Sequence, residues 1–501
     1  MNRWRIVGLL LLAALVAWLT LRSCTPEDVP NEAPPATATP ARDKFHASRP
    51  LQVSAIAAQP ADPAWLEREL RHLLLRGRMQ VAPVGPDARS AYTLRIEVQP
   101  APATTAVMKL VAPDDVVERE EQIDIGARAL DTLRAFATTL PAFLDAAHAQ
   151  GDWVALIGTD DPDAYDTYLS SANELLGADG RGFTQPAMTV ASASVERLEA
   201  LTRKRPGFAR ARSLLAIAYL GLGGKDVGSL TALAETTAER ALALDPALAN
   251  AQSALGLVSL RRGDWATALD HFRTALQTDP NATAALEGLG CLLMDVGHAT
   301  QALPITQRAV TLQPANVGAN ECLAYARLAT GTVDDGTHHS NALDVALVEA
   351  LEAMLSGQTA DAQRALHNAE TTRNSSAWVE PLLRAANNRR ETAQALQAIT
   401  RAANDQLIDP VTELICGAAL RQSDFVFNRM LRLHKQNAAV PLRILWLPNT
   451  AFLRKHDGFA EIVSVEGLLP FWQDHGLPDI CKTEPAVYGC KLRPQKIKKP
   501  E

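Results

Sequence analysis

The chain has 501 residues, of which 47% are hydrophobic and only 5% aromatic. That length holds two or three domains, and the apolar fraction is enough for true cores. The net charge of -7 comes with no broad basic face, which excludes nucleic acid as a partner; the basic stretch 491–499 reads as a solvated tail.

Residues 6–21 form an uncharged apolar run, with Arg3 and Arg5 before it and Arg22 after it. Trp4 and Trp18 suit the two membrane interfaces. The run predicts a membrane anchor over residues 1–24. The paired arginines keep its start in the cytoplasm and put the rest outside. In a bacterium this is a single-pass inner-membrane protein with its bulk in the periplasm. Two alternatives stay open. Leu21-Arg22-Ser23-Cys24 is a degraded lipobox, which would make a lipoprotein anchored at Cys24. A cleaved secretory signal is the other, although Ala36-Thr37-Ala38 lies far from the apolar run. Residues 25–48, rich in Pro, Ala and Thr, read as a disordered linker.

Residues 49–150 carry a mixed pattern. Leu51, Val53, Ala55 and Ala57 alternate as a strand does. Leu66, Leu70, Leu73 and Leu74 share one helix face. Residues 79–84 read as a short strand. Tyr92, Leu94, Ile96 and Val98 alternate, as do Ala106, Met108 and Leu110, and residues 122–125 read as another short strand. Leu130, Leu133, Ala137, Leu140 and Leu144 make a second amphipathic helix. The order β-α-β-β-β-α predicts helices packed on one face of a small sheet. His72 reads as structural, and Glu118, Glu120 and Glu121 as a solvated strand edge that discourages edge pairing. In pattern and order this region resembles the amino-terminal α/β domain of the Tol-system β-propeller protein and related periplasmic proteins. That resemblance implies protein contacts.

Asp160, Asp161 and Asp163 precede an apolar helical pattern; without a twelve-residue calcium loop they read as helix caps. One helix-pair unit is then written twice with a spacing of 34 residues. Asp245-Pro246, Asp279-Pro280 and Gln313-Pro314 mark its ends. Leu255-Gly256, Ala268, Phe272 and Ala275 recur as Leu289-Gly290, Ala302, Thr306 and Ala309. The small residues fall where two antiparallel helices approach closely, and Phe272 fills the space between repeats. Residues 208–246 form a lengthened repeat, and a further one starts after Pro314 and fades at Gly331. The pattern resembles the tetratricopeptide (TPR) family, and the resemblance implies an α-solenoid over residues 160–330 that holds a partner.

First-helix positions predict the concave surface. The groove candidates are Asn250, Ser253 and Leu257; Ala284, Glu287 and Cys291; and Gly318, Glu321 and Tyr325. TPR clamps for acidic peptide termini use Lys, Arg and Asn there. With glutamates at two of these positions, the expected partner is a protein or peptide segment that is apolar, neutral or basic. No cofactor, metal or small-molecule ligand is expected, because no catalytic set, metal cluster or phosphate-cradling loop stands out. His338-His339 has no ligand partner at metal spacing and reads as a polar loop.

Residues 331–501 read as irregular helices: 341–355 and 359–369 around Ser356-Gly357, then 383–403 and 411–434. Leu453-Arg454, Phe459, Gly467-Leu468, Phe471-Trp472, Gly476 and Pro478-Asp479-Ile480-Cys481 close the chain. This ending resembles that of the TPR-bearing periplasmic regions of membrane-anchored winged-helix regulators and their adenylate-cyclase-like relatives. The winged helix of those regulators is absent here, so DNA binding is not implied. Cys481 and Cys490, nine apart in a short tail, predict a disulfide worth roughly 2.5 kcal/mol, with free thiols the alternative. Cys291 and Cys322 span adjacent repeats and read as buried thiols with a bridge as the alternative; Cys416 reads as a buried thiol. The expected fold is mostly α with a small α+β domain: an N-terminal span, an α/β sandwich domain, then a TPR-type solenoid. The expected function is a non-enzymatic, membrane-tethered periplasmic scaffold for a protein partner. The alternative is an orphan periplasmic sensory module acting through a membrane partner.

Overall fold

The computed structural model describes residues 45, 49–57, 64–83, 91–99, 105–146, 152–176, 188–222, 227–332, 350–351, 353–405 apart from 371–375, 407–436 and 438–492. The chain divides into Met1–Phe45 and His46–Glu501, and every element below belongs to the second unit. The expected anchor, Cys24, the linker apart from Phe45, His338-His339 and most of 341–355 lie outside the described residues.

The alternating segments form one four-stranded sheet in the order β1-β2-β3-β4: β1 (Leu51–Ala57), β2 (Tyr92–Val98), β3 (Thr105–Val111) and β4 (Val117–Asp124). The first pair is parallel, with Leu51 opposite Tyr92, because helix α1 (Ala64–Arg76) lies between the two strands in the chain and carries it back. The other pairs are antiparallel. Leu94, Ile96, Ala106, Met108 and Leu110 are fully buried on one face. Helix α2 (Ala129–Phe143) packs with α1 and β4.

Two strand expectations needed adjustment. Residues 79–83 do not form a strand, and only Val81 among them bridges to Leu51; residue 84 lies outside the described residues. Arg78 turns the chain at φ 61°, and Pro83 has no N–H with which to continue a ladder. Residues 122–124 are the end of the longer β4, and residue 125 lies just beyond it. Its sequence, VEREEQID, lacks a clean alternation because β4 is an edge strand of which only Ile123 is buried.

Helices α3 (Pro162–Leu176) and α4 (Met188–Lys204) open the helical part. Asp161 Oδ1 accepts from the amides of Asp163 at 3.0 Å and Ala164 at 3.3 Å, so this aspartate caps α3 as expected. Then come α5 (Ala209–Gly221) with α6 (Val227–Leu244), α7 (Ala249–Arg261) with α8 (Trp265–Thr278), α9 (Thr283–Asp295) with α10 (Ala299–Leu312), and α11 (Val317–Thr330). The starts of α7, α9 and α11 keep the 34-residue spacing. Phe272 shows why small residues recur. A Cβ added to Gly256 would lie 2.6 Å from its ring, and one added to Gly288 would lie 2.4 Å away. The ring therefore fills the junction between α7, α8 and α9.

Further helices follow, among them α12 (Thr359–Glu370), α13 (Ser376–Asn387), α14 (Thr392–Asn404), α15 (Pro410–Ala419), α16 (Ser423–Lys435), α17 (Asp457–Val465) and α18 (Leu468–His475). They share one apolar core with the repeats, in which Trp378, Trp446, Phe459 and Trp472 are buried with Trp265, Phe272 and Leu292. Among the described residues no helix is long and apolar enough to cross a membrane.

Candidate partner-binding surface and the cleft beside it

The first helices of the repeats were expected to present an open concave face. Most of the candidate side chains are buried instead. Ser253 is fully buried and donates to Ala249 O at 2.8 Å within its own helix. Glu287, 1% exposed, accepts from Asn316 Nδ2 at 2.8 Å. Cys291 is joined to Cys322 in a disulfide with Cα atoms 5.4 Å apart, where buried thiols had been the first reading. Glu321 lies 3.4 Å from Arg443, and the same guanidinium stands 5.9 Å from the centroid of the buried Tyr325 ring. Ala284 and Gly318 are buried as well. Asn250 and Leu257 are half-buried and keep a path to solvent.

The reason is that the repeats do not stand alone. Every position of α9 except Thr283 is buried, because the C-terminal region covers what a free solenoid would expose. Arg443 enters between α9 and α11. Its Nε and Nη2 each lie 3.1 Å from an Asp295 oxygen. Burial works against its charge, but Asp295 and Glu321 outweigh that and hold the guanidinium firmly protonated. Trp446 Nε1 donates to Asp295 O and Trp472 Nε1 to Val296 O, both at 2.9 Å. Asp479 accepts from the Thr300 amide at 2.8 Å and donates its own amide to Gly297 O at 2.9 Å. His298 Nε2 donates to Gly476 O at 2.9 Å, which fixes its tautomer. Arg454 donates to Leu445 O and Leu447 O and pairs with Glu484. The closing residues Trp472, Gly476 and Asp479 are thus a clamp onto α9 and α10. Cys481 and Cys490 form the expected disulfide at its end.

Arg443 was missed in the sequence. A signal was present: it is the lone charge in the apolar stretch 440–447, and such a residue is held by buried counter-charges.

A second polar system joins α1 to the helices. Glu69, on the buried face of α1, accepts from Arg210 Nη2 at 2.6 Å and from Tyr165 Oη at 2.8 Å. Arg210 also bonds Tyr168 Oη at 2.9 Å. Burial pushes the Glu69 carboxyl up, yet Arg210 and Arg68 together bring it down to about 2. His72 beside it donates to Leu156 O at 3.3 Å, and burial with the nearby Arg210 lowers it to about 3, so the ring is neutral. Its structural reading stands.

Above this network lies a cleft of about 340 Å³, walled by α1 on one side and by the starts of α7 and α9 on the other. Arg68, Arg71, Arg76, Arg78 and Arg210 line it, with Glu67, Asp279 and Asn250. Among the described residues, no cluster of three or more His, Cys, Asp or Glu side chains is placed to hold a metal ion.

Residues 228–283, from α6 to the start of α9, match the model of the tetratricopeptide repeat. The helix pairs of this segment are similar to tetratricopeptide repeats. Among solved structures, TTC0263, a TPR protein of Thermus thermophilus, is 17% identical, covers 40% of this chain and 100% of its own, and gives a TM-score of 0.28. PilF of Pseudomonas aeruginosa is 19% identical over 46% of this chain and 91% of its own, at 0.26. The TPR domain of P58(IPK) is 12% identical over 58% of this chain and 98% of its own, at 0.18. No curated protein matches the chain. TM-scores this low leave the repeat model and the helix geometry to carry the assignment. TPR domains are in general protein-interaction scaffolds.

Proposed function

We propose that this protein is a non-enzymatic scaffold that holds a protein partner on its TPR region. It is tethered to the inner membrane by residues 1–24 and works in the periplasm. The observation that carries the reading is the repeat match over 228–283, set in a stack of helix pairs with a constant period. The paired arginines before the apolar run support the topology. Two disulfides, Cys291–Cys322 and Cys481–Cys490, support an oxidising compartment.

The partner surface differs from the one the repeat count predicts. Glu287 and Glu321 are engaged inside the fold, so they do not set the partner's charge. Partner capture instead uses the outer part of α7 around Asn250 and Leu257, where apolar or neutral segments fit a half-buried leucine.

Crosslinking in intact membranes, followed by mass spectrometry, tests this reading. A specific partner crosslinked near Leu257, and lost in Leu257→Arg, is expected. Capture that is unchanged in Leu257→Arg rules out this surface. Protease treatment of spheroplasts tests the location: degradation of the chain without lysis is expected, and full protection overturns the periplasmic assignment.

A further inference from the structure

The cleft between α1 and the repeats meets the proposed partner surface at Asn250, and its arginine-rich chemistry is not explained by the scaffold reading. We propose that it binds a small organic anion bearing a carboxylate or phosphate group, held by Arg71 and Arg78.

Size comes first. A volume of about 340 Å³ lies at the lower end of small-molecule sites, which favour the junctions between structural units. An extended peptide needs an open track. Here the first-helix positions farther along the stack, Glu287, Cys291, Glu321 and Tyr325, are buried and offer none.

Charge comes second. Five guanidiniums line the cleft, and their counter-charges are unequal. Arg210 is matched by Glu69 at 2.6 Å, and Arg76 by Asp245 at 3.0 Å. Arg68 donates to Asn173 Oδ1 at 2.7 Å, and among the described residues its carboxylate contact is Glu69 at 3.5 Å, which Arg210 already occupies. Arg71 has Glu67 at 3.7 Å, a loose contact for a side chain only 15% exposed. Arg78 has no carboxylate at ion-pair distance among the described residues. Its positive φ of 61° turns the chain just after α1, where its side chain joins the cleft lining. Burial lowers Arg71 below the ordinary arginine value despite Asp279 and Glu67, so its counter-charge is incomplete. A bound oxyanion supplies what is missing, and a guanidinium binds carboxylate or phosphate through two parallel hydrogen bonds.

The backbone on the opposite wall has the same sign. Helices α7 and α9 both begin at the cleft, at Ala249 and Thr283. Their N-cap residues are Leu248 and Ala282, neither of which caps with a side chain. Two uncapped helix starts therefore face the arginines and add partial positive charge.

Binding is tested on the purified chain with succinate, glycerol 3-phosphate and inorganic phosphate, using thermal melting and calorimetry at matched ionic strength, with spermidine as the cationic control. At least one organic anion is expected to raise the melting temperature and to bind, while spermidine does neither. Succinate and glycerol 3-phosphate separate the carboxylate from the phosphate form of the ligand. Arg78→Gln, at an exposed position, and Arg71→Gln are each expected to weaken binding on the order of tenfold or more. The Arg78→Gln chain should melt like the parent without ligand, which separates lost binding from lost folding. The site does not exist if no probe binds the parent chain, if inorganic phosphate alone binds, or if Arg78→Gln responds to the anions as the parent does.

Discussion

Glu69 shows how one side chain ties two parts of the molecule together. It sits on α1 and its partners Tyr165 and Arg210 sit on α3 and α5, all of them buried. Glu69→Gln leaves a buried guanidinium without its counter-charge, so a loss of about 3–5 kcal/mol is expected in urea unfolding. Acid acts on the same place. A carboxyl held at about 2 contributes stability in full above its ordinary value of 4.5, and this is lost as pH falls toward 2. His72 acts in the same direction over a higher range. It stays neutral in the fold down to about 3, whereas the released ring takes up a proton near 6.5, so falling pH favours the unfolded chain across that interval. Stability should therefore decline steadily from pH 7 to pH 3. His72→Gln should flatten the part of the curve between pH 6.5 and 4.5. A curve unchanged by His72→Gln would remove the histidine from this account.

At the scale of helices, the close approach around Phe272 is the sensitive point. Phe272→Ala empties the junction between two repeats and should cost about 3–5 kcal/mol. Gly288→Val drives a side chain into that ring and should cost about 1–3 kcal/mol. Thermal melting of both variants checks the order. These elements were readable in the sequence because local spacing dictates them: the Pro corners, Gly256 and the alternation in β2 and β3 each answer to neighbours close in the chain. β4 was half-read, since an edge strand buries little and so writes little into its pattern. The fate of Glu287 and Glu321 was not readable. Helical periodicity says which face they share, but not that Asn316 and Arg443 will reach them.

On the scale of the whole molecule, the C-terminal region is part of the repeat core and not an appendage to it. Arg443→Met leaves Asp295 and Glu321 buried without their cation and should cost about 3–5 kcal/mol. Hydrogen exchange should then show faster exchange in α9 and α11, far from the substitution in sequence. Protection that stays unchanged there would mean the region merely lies against the repeats. Reduction of Cys291–Cys322 and Cys481–Cys490 should lower the melting temperature by an amount that Cys481→Ser with Cys490→Ser reproduces only in part.

The clamp formed by Trp446, Trp472 and Asp479 also sets an order of events during synthesis. The carbonyls of Asp295 and Val296 wait for partners that a ribosome makes some 150 to 180 residues later. Until those arrive, the nascent middle exposes apolar helix faces, so a prematurely stopped chain should aggregate or recruit chaperones while the finished one does not.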